Sequence, residues 1–588
     1  MRRRWLLWGV LMHGCVTPPP PDPAAAAPAP PRGDVVLLVG GAAPAPEAGP
    51  ITAVVVKDGR LAALGEAEAL APWIGPETRV IRMSRGVVMP GLVDAHLHLI
   101  GLGKRRLTLD LGGTRTLAEV KARVRAAAEA APPGAWLLGR GWDQNDWSDH
   151  DGFPTALDLD PVSGHHPVAL TRVDGHALWV NTAALKKAAV TQQTRPAAGG
   201  RVVMKHGIPT GIFVDNAMAL IREHIPAPGP EELKQAALRA QDECLAAGLT
   251  TVHDMGVTLD ELAALKALDE QGALRLRVYA AHDGTAEDLT PALAMDPLIP
   301  DPAGPGRLTV RMVKFYADGA LGSRGAALLA DYSDDRGNAG LLLTDPTVLE
   351  ARVRTAHARG YQVATHAIGD RANMTVLHVY HRVFGGDAAA ARPRIEHAQV
   401  LAEVDIPRFG AEGVIASVQP THATSDMPWA EKRLGPERIK GAYAWQSLLK
   451  SGAVLAAGSD APVEEVAPVL GLYAARTRQD SLGLPEGGWH PEQALTGAEA
   501  LAAFTTGARY AAFQEDTLGK LDAGYIADLT VLSVDPTTAS PDALATAQVM
   551  LTMVGGEVLF LREGAEDPEP VPEVTETATT AATSTVAP

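Results

Sequence analysis

Eight short apolar runs, most of them separated by amphipathic helical patterns, limit what this chain can fold into more than any other feature. They occupy residues 87–96, 249–254, 276–281, 310–315, 362–366, 394–397, 414–419 and 454–460. Runs of this length without polar alternation read as strands buried on both faces. The stretches between them, such as 230–247, 259–268, 346–359 and 372–384, repeat their apolar residues at helical spacing. Alternating buried strands and helices fold as a parallel sheet, and eight such units close into a (β/α)8 TIM barrel of the α/β class. With 588 residues and 46% hydrophobic content, the chain can build that core and a smaller domain beside it.

The barrel is expected over residues 87–517, with a long insertion at about 109–230 after its first strand. Connections of that length usually carry function. Strand-like residues 34–39 and 53–56, joined to the turn Lys57-Asp58-Gly59-Arg60, have counterparts in 527–532 and 549–554. Residues 34–86 and 518–562 are therefore expected to meet in one small β-sandwich domain. Residues 563–588 are rich in Glu, Pro, Thr and Ala and read as a disordered tail.

At the other end, Arg2-Arg3-Arg4, an apolar stretch and Gly14-Cys15 precede a Pro/Ala-rich segment. This order reads as an export signal. Residues 1–33 are assigned as leader and linker, and the segment resembles a bacterial lipoprotein signal with Cys15 as the lipidated residue. His13 and Met12 depart from its usual pattern. The expectation is an exported protein, periplasmic or membrane-anchored through Cys15. The other cysteine, Cys244, lies in a helical pattern and reads as a packing residue, so a disulfide framework is excluded. A net charge of −17 without basic patches argues against nucleic acid as the main partner.

Several expected strands end in a residue able to bind a metal or move a proton: His96 with His98, Lys314, His366, His397 and Asp460. Residues i and i+2 of a strand share a face, so His96 and His98 can grip one ion, or form a hydrogen-bonded pair at a strand end. Taken singly, His366 and His397 suit structural barrel histidines, and Asp460 before Ala461-Pro462 suits a helix cap. Lys314, between Val313 and Phe315, is harder to place as a structural residue. A buried unpaired ammonium costs several kcal/mol unless neutralised. Barrel strands bring such residues to one mouth, which makes a metal site the stronger reading.

In this order, GLVDAHLH, VKFYADGALGSR, THAIGD, RIEHAQ and GSDAPV resemble the amidohydrolase superfamily, and more narrowly its amidohydrolase-3 branch of N-acyl and N-substituted amide hydrolases, over about residues 34–561. The resemblance implies two divalent metal ions, zinc by default, one held by His96 and His98 and the other by His366 and His397. Lys314 would be N-carboxylated and bridge them. Asp460 would complete the first site and act as general base, then general acid, for metal-activated attack on an amide carbonyl. The segments GWDQNDW, RVDGHALWVN and SVQPTHATSDMPW resemble the branch's pocket segments. They offer His176 as a second catalytic group or a structural histidine, and Trp142, Asp143 and Trp147 as an aromatic wall with a polar anchor or as ordinary packing. Asp318, Arg324 and His422 are candidates for a polar substrate group, Arg324 being equally suited to a structural carboxylate. The expected activity is hydrolysis of a non-peptide C–N bond in a small-molecule amide. The alternatives are a deaminase or cyclic amidase on the same scaffold, or an inactive binding barrel, against which all six ligands are present.

Overall fold

The computed structural model describes residues 32–44, 49–172, 177–196, 200–286 and 288–567. The leader with Cys15, His176 and residues 568–588 lie outside them. All eight expected barrel strands form: β1 (Leu92–Leu97), β2 (Leu249–Val257), β3 (Arg277–Asp283), β4 (Leu308–Tyr316), β5 (Gln362–Ala367), β6 (Arg394–His397), β7 (Ile415–Val418) and β8 (Leu455–Ala457). Each pairs in parallel with the next in sequence. Strand β8 forms no ladder with β1. The Asp460 N–H instead donates to the His96 carbonyl at 2.6 Å, and the His98 N–H to the Ala461 carbonyl at 2.8 Å. A Cβ at Gly458 would collide with the His96 amide, so this close approach requires glycine.

Helices cover the barrel's outside and bury the apolar residues that the strands turn towards them. The helix Leu259–Glu270 starts at a capping box, in which Thr258 Oγ1 accepts from the Glu261 N–H and Glu261 returns a bond to the Thr258 N–H. It buries Leu262, Leu265 and Leu268, each contributing roughly 1.5–3 kcal/mol by leaving water.

One expected strand is two. Arg79–Pro90 belongs to the small domain and Leu92–Leu97 to the barrel, with the break at Gly91, where the Thr250 side chain occupies the space a Cβ would need. The small domain therefore runs four residues beyond 86, to Pro90. It is a single seven-stranded sheet in which the C-terminal strand Leu529–Leu532 pairs antiparallel with residues 87–90. The sheet carries a core that includes Leu37, Ile81, Met83, Val531 and Leu551. Its far edge meets the C-terminal segment through the Leu61 N–H and the Tyr525 carbonyl, 2.8 Å apart. The insertion builds a six-stranded sheet of its own, with helix Leu117–Ala130 packed on it.

Candidate metal centre

The expected ligands converge at the C-terminal ends of the barrel strands. His96 and Lys314 are fully buried, and His397 and Asp460 nearly so. His98, the first residue after β1, is one-third exposed at its side chain (33%). Asp460 Oδ1 lies 3.3 Å from both His96 Nε2 and His98 Nε2, while Oδ2 lies 3.7 Å from His422 Nε2. The His397 ring sits 4.8 Å from that of His96 and 4.5 Å from that of His366. Donor atoms of His96, His397 and Asp460 fall within 4.8 Å of one another. All these residues, with Lys314, line one cavity of about 400 Å³.

Neighbours fix these groups. Asp94 spans the seam: Oδ1 accepts from the His96 N–H at 3.1 Å and the Ser459 N–H at 3.0 Å, and Oδ2 from Ser459 Oγ at 2.5 Å. This clamp holds the turn in which Asp460 adopts a left-handed backbone with φ of +60°, and His397 sits at +72°. Such conformations persist where the surroundings enforce them. Asp460 is not a helix cap; its carboxylate faces the histidines. His96 Nδ1 contacts Glu396 Oε2 at 2.6 Å, and His397 Nδ1 contacts Gln419 Oε1 at 2.8 Å. With acceptors on both Nδ1 atoms, the Nε2 atoms are left for the cavity. Glu396 is in turn held by Arg394 through contacts of 2.8 and 3.1 Å, and Arg394 also donates to His253 Nδ1, the Ala95 carbonyl and Ser417 Oγ. Sequence reasoning missed Arg394 and Glu396. Their signal was present as two charges at i and i+2 inside the buried strand RIEH.

Burial dominates the electrostatics. It pushes His366 down to about 3, helped by Lys314, and His397 well below the usual imidazole range. Both are neutral, as metal ligation requires. Burial also pushes the Lys314 ammonium down to about 8, so losing its proton at pH 7 costs only about 1.4 kcal/mol. Burial alone would raise Asp460 and Glu396, but His96 and His98 around the first and Arg394 with His96 around the second hold both well below the carboxylate range. For His96, burial and Lys314 act downward, and the carboxylates of Asp460 and Glu396 outweigh them.

His96 Nε2, His366 Nε2 and Lys314 Nζ are buried without a hydrogen-bond partner. Native interiors rarely leave such atoms unsatisfied. Imidazoles, a carboxylate and an amine that gives up its proton at low cost, with free donor atoms turned to one cavity, fit a divalent cation of the zinc type.

The sequence profile described as the Amidohydrolase family matches residues 84–560. The chain belongs to the amidohydrolase family. Protein LONG AFTER FAR-RED 3 of Arabidopsis thaliana is 35% identical to it over 86% of this chain and 88% of its own length. N-substituted formamide deformylase of Arthrobacter pascens is 26% identical over 87% of this chain and 95% of its own. Among solved structures, an uncharacterized metal-dependent hydrolase from Pyrococcus horikoshii OT3 superposes with a TM-score of 0.71 at 27% identity, covering 86% of this chain and 99% of that one.

In this amidohydrolase the expected pocket residues separate into two groups. His422 lines the cavity. Trp142 does not: it is fully buried in the insertion, its Nε1 donating to the Leu170 carbonyl at 2.8 Å and its ring 5.7 Å from Trp179 and 6.0 Å from Trp147. An insertion this large needs its own aromatic core. Asp143 accepts from the Asn145 N–H at 2.9 Å and pairs with Arg172 at 2.6 Å, which makes it a turn residue. Asp318 is buried and filled by the backbone N–H groups of Ala327, Ile368 and Gly369 at 2.8–3.0 Å, fastening the loop after β4 to the one after β5. Arg324 pairs with Asp334 at 3.0 Å, the structural alternative. Asp426 and Trp429, inside the expected pocket segment SVQPTHATSDMPW but not singled out there, line the cavity with His422. Their spacing of i, i+4 and i+7 on helix Pro420–Arg438 was the available signal.

Proposed function

We propose that this amidohydrolase cleaves a non-peptide C–N bond, that of an amide or of an N-acyl or N-formyl amine, with two divalent ions, zinc foremost. The observation that carries the reading is the Asp460 carboxylate, which presents Oδ1 to two ligand histidines and Oδ2 to His422. A general base placed between ligands and pocket suits the hydrolysis of a neutral amide. The formamide chemistry in the name of the Arthrobacter pascens relative supports the same bond type.

His96, His98 and Asp460 would hold one ion, and His366 and His397 the other. When bound, such ions acidify water and polarise a carbonyl. Asp460 takes a proton from the water and delivers it to the departing nitrogen, without which the amine leaves as an unfavourable anion. His422 Nε2, buried and unpartnered, donates to the carbonyl oxygen as charge grows on it. The Lys314 ammonium would first lose a proton, and the free amine would then add to carbon dioxide, an N–C bond replacing one C–O π bond with release of a second proton. A buried cation thereby becomes an anionic ligand. The basic and apolar leader supports export, with Cys15 as its lipid-bearing residue. Intact mass of the mature protein tests that, since an unprocessed Met1 would exclude it.

The functional test is metal content with turnover of a panel of formamides, acetamides and amino-substituted heterocycles. Two ions per chain and amide cleavage that chelation abolishes and zinc restores are expected. Loaded protein that releases ammonia from the heterocycles and leaves every amide intact would transfer the assignment to a deaminase.

A further inference from the structure

We infer that the substrate carries a hydrogen-bond donor or a cation about one helical turn beyond its scissile amide, and no carboxylate there. The inference rests on the amide-hydrolase reading and deepens it.

The cations are the first observation. Among the described residues, Lys314 is the sole lysine or arginine lining the cavity, and it lies on the floor among the ligands. Two arginines in neighbouring segments are engaged elsewhere. Arg324 is bonded to Asp334, and Arg433 is bonded to the same carboxylate and to the Gly322 carbonyl. Recognition of a carboxylate normally uses a guanidinium fork or an ammonium, and the described walls provide neither.

The acceptors are the second. Asp426 and Glu464 reach the cavity from different elements, the helix Pro420–Arg438 and the segment after β8. Asp426 Oδ2 accepts from Tyr443 Oη at 2.5 Å and from Gln399 Nε2 at 3.0 Å, which fixes the carboxylate. Its Oδ1 has no donor among the described residues, and neither does Glu464. A held carboxylate with one free oxygen is a preorganised acceptor, ready for a donor that the described residues do not supply.

Geometry sets the distance. His422, Asp426 and Trp429 follow one another at i, i+4 and i+7 on one helix, so Asp426 lies about 6 Å and Trp429 about 10 Å along the axis from His422. With the scissile group at His422 and the metal ligands, the donor falls about five bonds beyond the amide nitrogen. Leu321, Val463 and Trp429 flank that path with apolar surface.

A linear series isolates the terminal group: N-formyl-1,4-diaminobutane, 4-formamidobutanol, N-formylpentylamine and 4-formamidobutanoate. Binding to the zinc-loaded full chain is measured by calorimetry, and turnover in parallel. Affinity should fall from diamine to alcohol to alkane to acid, with at least tenfold between the first and last. In Glu464→Gln the diamine-to-acid ratio should shrink several-fold, and a ratio within one variant is insensitive to loss of folded protein. The expected order of binding with no turnover would support this inference while overturning the amide reading. Tighter binding of the acid than of the diamine, or an unchanged ratio in both Glu464→Gln and Asp426→Asn, would overturn the inference.

Discussion

Replacing Glu396 with glutamine should loosen the metal centre without altering any ligand. Both partners of the Arg394–Glu396 pair are fully buried, and the carboxylate meets Arg394 at 2.8 and 3.1 Å and His96 Nδ1 at 2.6 Å. Glutamine keeps the shape and removes the charge. Arg394 retains the Ala95 carbonyl and Ser417 Oγ, but a buried guanidinium left without its anion destabilises a fold by about 3–5 kcal/mol. The second effect is specific to metal binding. A side-chain amide can present its NH2 to His96 Nδ1, which moves the ring proton to Nε2, the nitrogen nearest Asp460. Loss of an outer hydrogen bond of this kind lowers metal affinity about 10–100-fold. Competition against a chromophoric chelator at neutral pH measures that loss, and denaturant titration measures stability. Glu396→Asp, which keeps the charge, should recover part of both. Folded Glu396→Gln protein with unchanged zinc affinity would refute the argument that this carboxylate orients His96, and the Arg394 network would then serve only the barrel core.

Substitutions at three further positions separate chemistry from architecture. Asp460→Asn removes the proposed base while keeping its shape, so kcat should fall by roughly 100-fold or more; near-native kcat in metal-loaded protein would exclude Asp460 from proton transfer. Lys314→Ala should lower metal content and turnover together, with formate or acetate restoring part of both, and Lys314→Arg should fail as well because a guanidinium stays charged. Elemental analysis checks each variant. Asp528, far from the site, joins the small domain to the barrel floor by accepting from Arg277 at 2.8 and 3.1 Å and from Arg509 at 3.4 Å. Burial alone would raise it, yet the arginines hold it below 3.8, so its stabilisation is present above that value and disappears as pH falls through the folded-state value. Asp528→Asn should cost about 3–5 kcal/mol and flatten the acid limb of the unfolding profile, with metal affinity unchanged.

The barrel was legible because its strands are buried on both faces, so most of them appear as largely apolar runs. The candidate ligands were legible because a histidine, lysine or aspartate at the end of such a run contributes little to apolar packing and is costly to bury without a partner. What stayed hidden follows from the same physics. The run 87–96 shows no change of composition at Gly91, since strands of two adjacent domains are equally apolar there. The tryptophans of GWDQNDW have the character of a pocket wall and of a core alike, and only the size of the insertion favours the second. Arg324 and Asp334 stand ten positions apart in a loop, where no periodicity announces a pair. Arg394 and Glu396 were overshadowed by their neighbour His397, although two charges on one face of a four-residue strand can be buried only against each other or against a third group.

The seam of the barrel links the fold to the site. Strands β8 and β1 share no ladder, and the bonds that close them come from the backbone of His96, His98 and Asp460 and from the Asp94–Ser459 clamp. An ion shared by His96, His98 and Asp460 would therefore join the two sides of the weakest junction in the ring. A ligand that binds only the folded form stabilises it by about 2.7 kcal/mol when present at 100 times its Kd. Because the ligands straddle the seam, that gain should be concentrated there. Hydrogen exchange compared between chelated and zinc-loaded protein should show slower exchange of the His98 and Asp460 amides on loading, with the amides of β3 little changed. The His98 and Asp460 amides donate to carbonyls across the seam at 2.8 and 2.6 Å, so their exchange reports opening of that junction directly. Equal protection at β3 and at the seam would mean that metal stabilises the barrel as a whole, and the closure of β1 on β8 would then be independent of the ion.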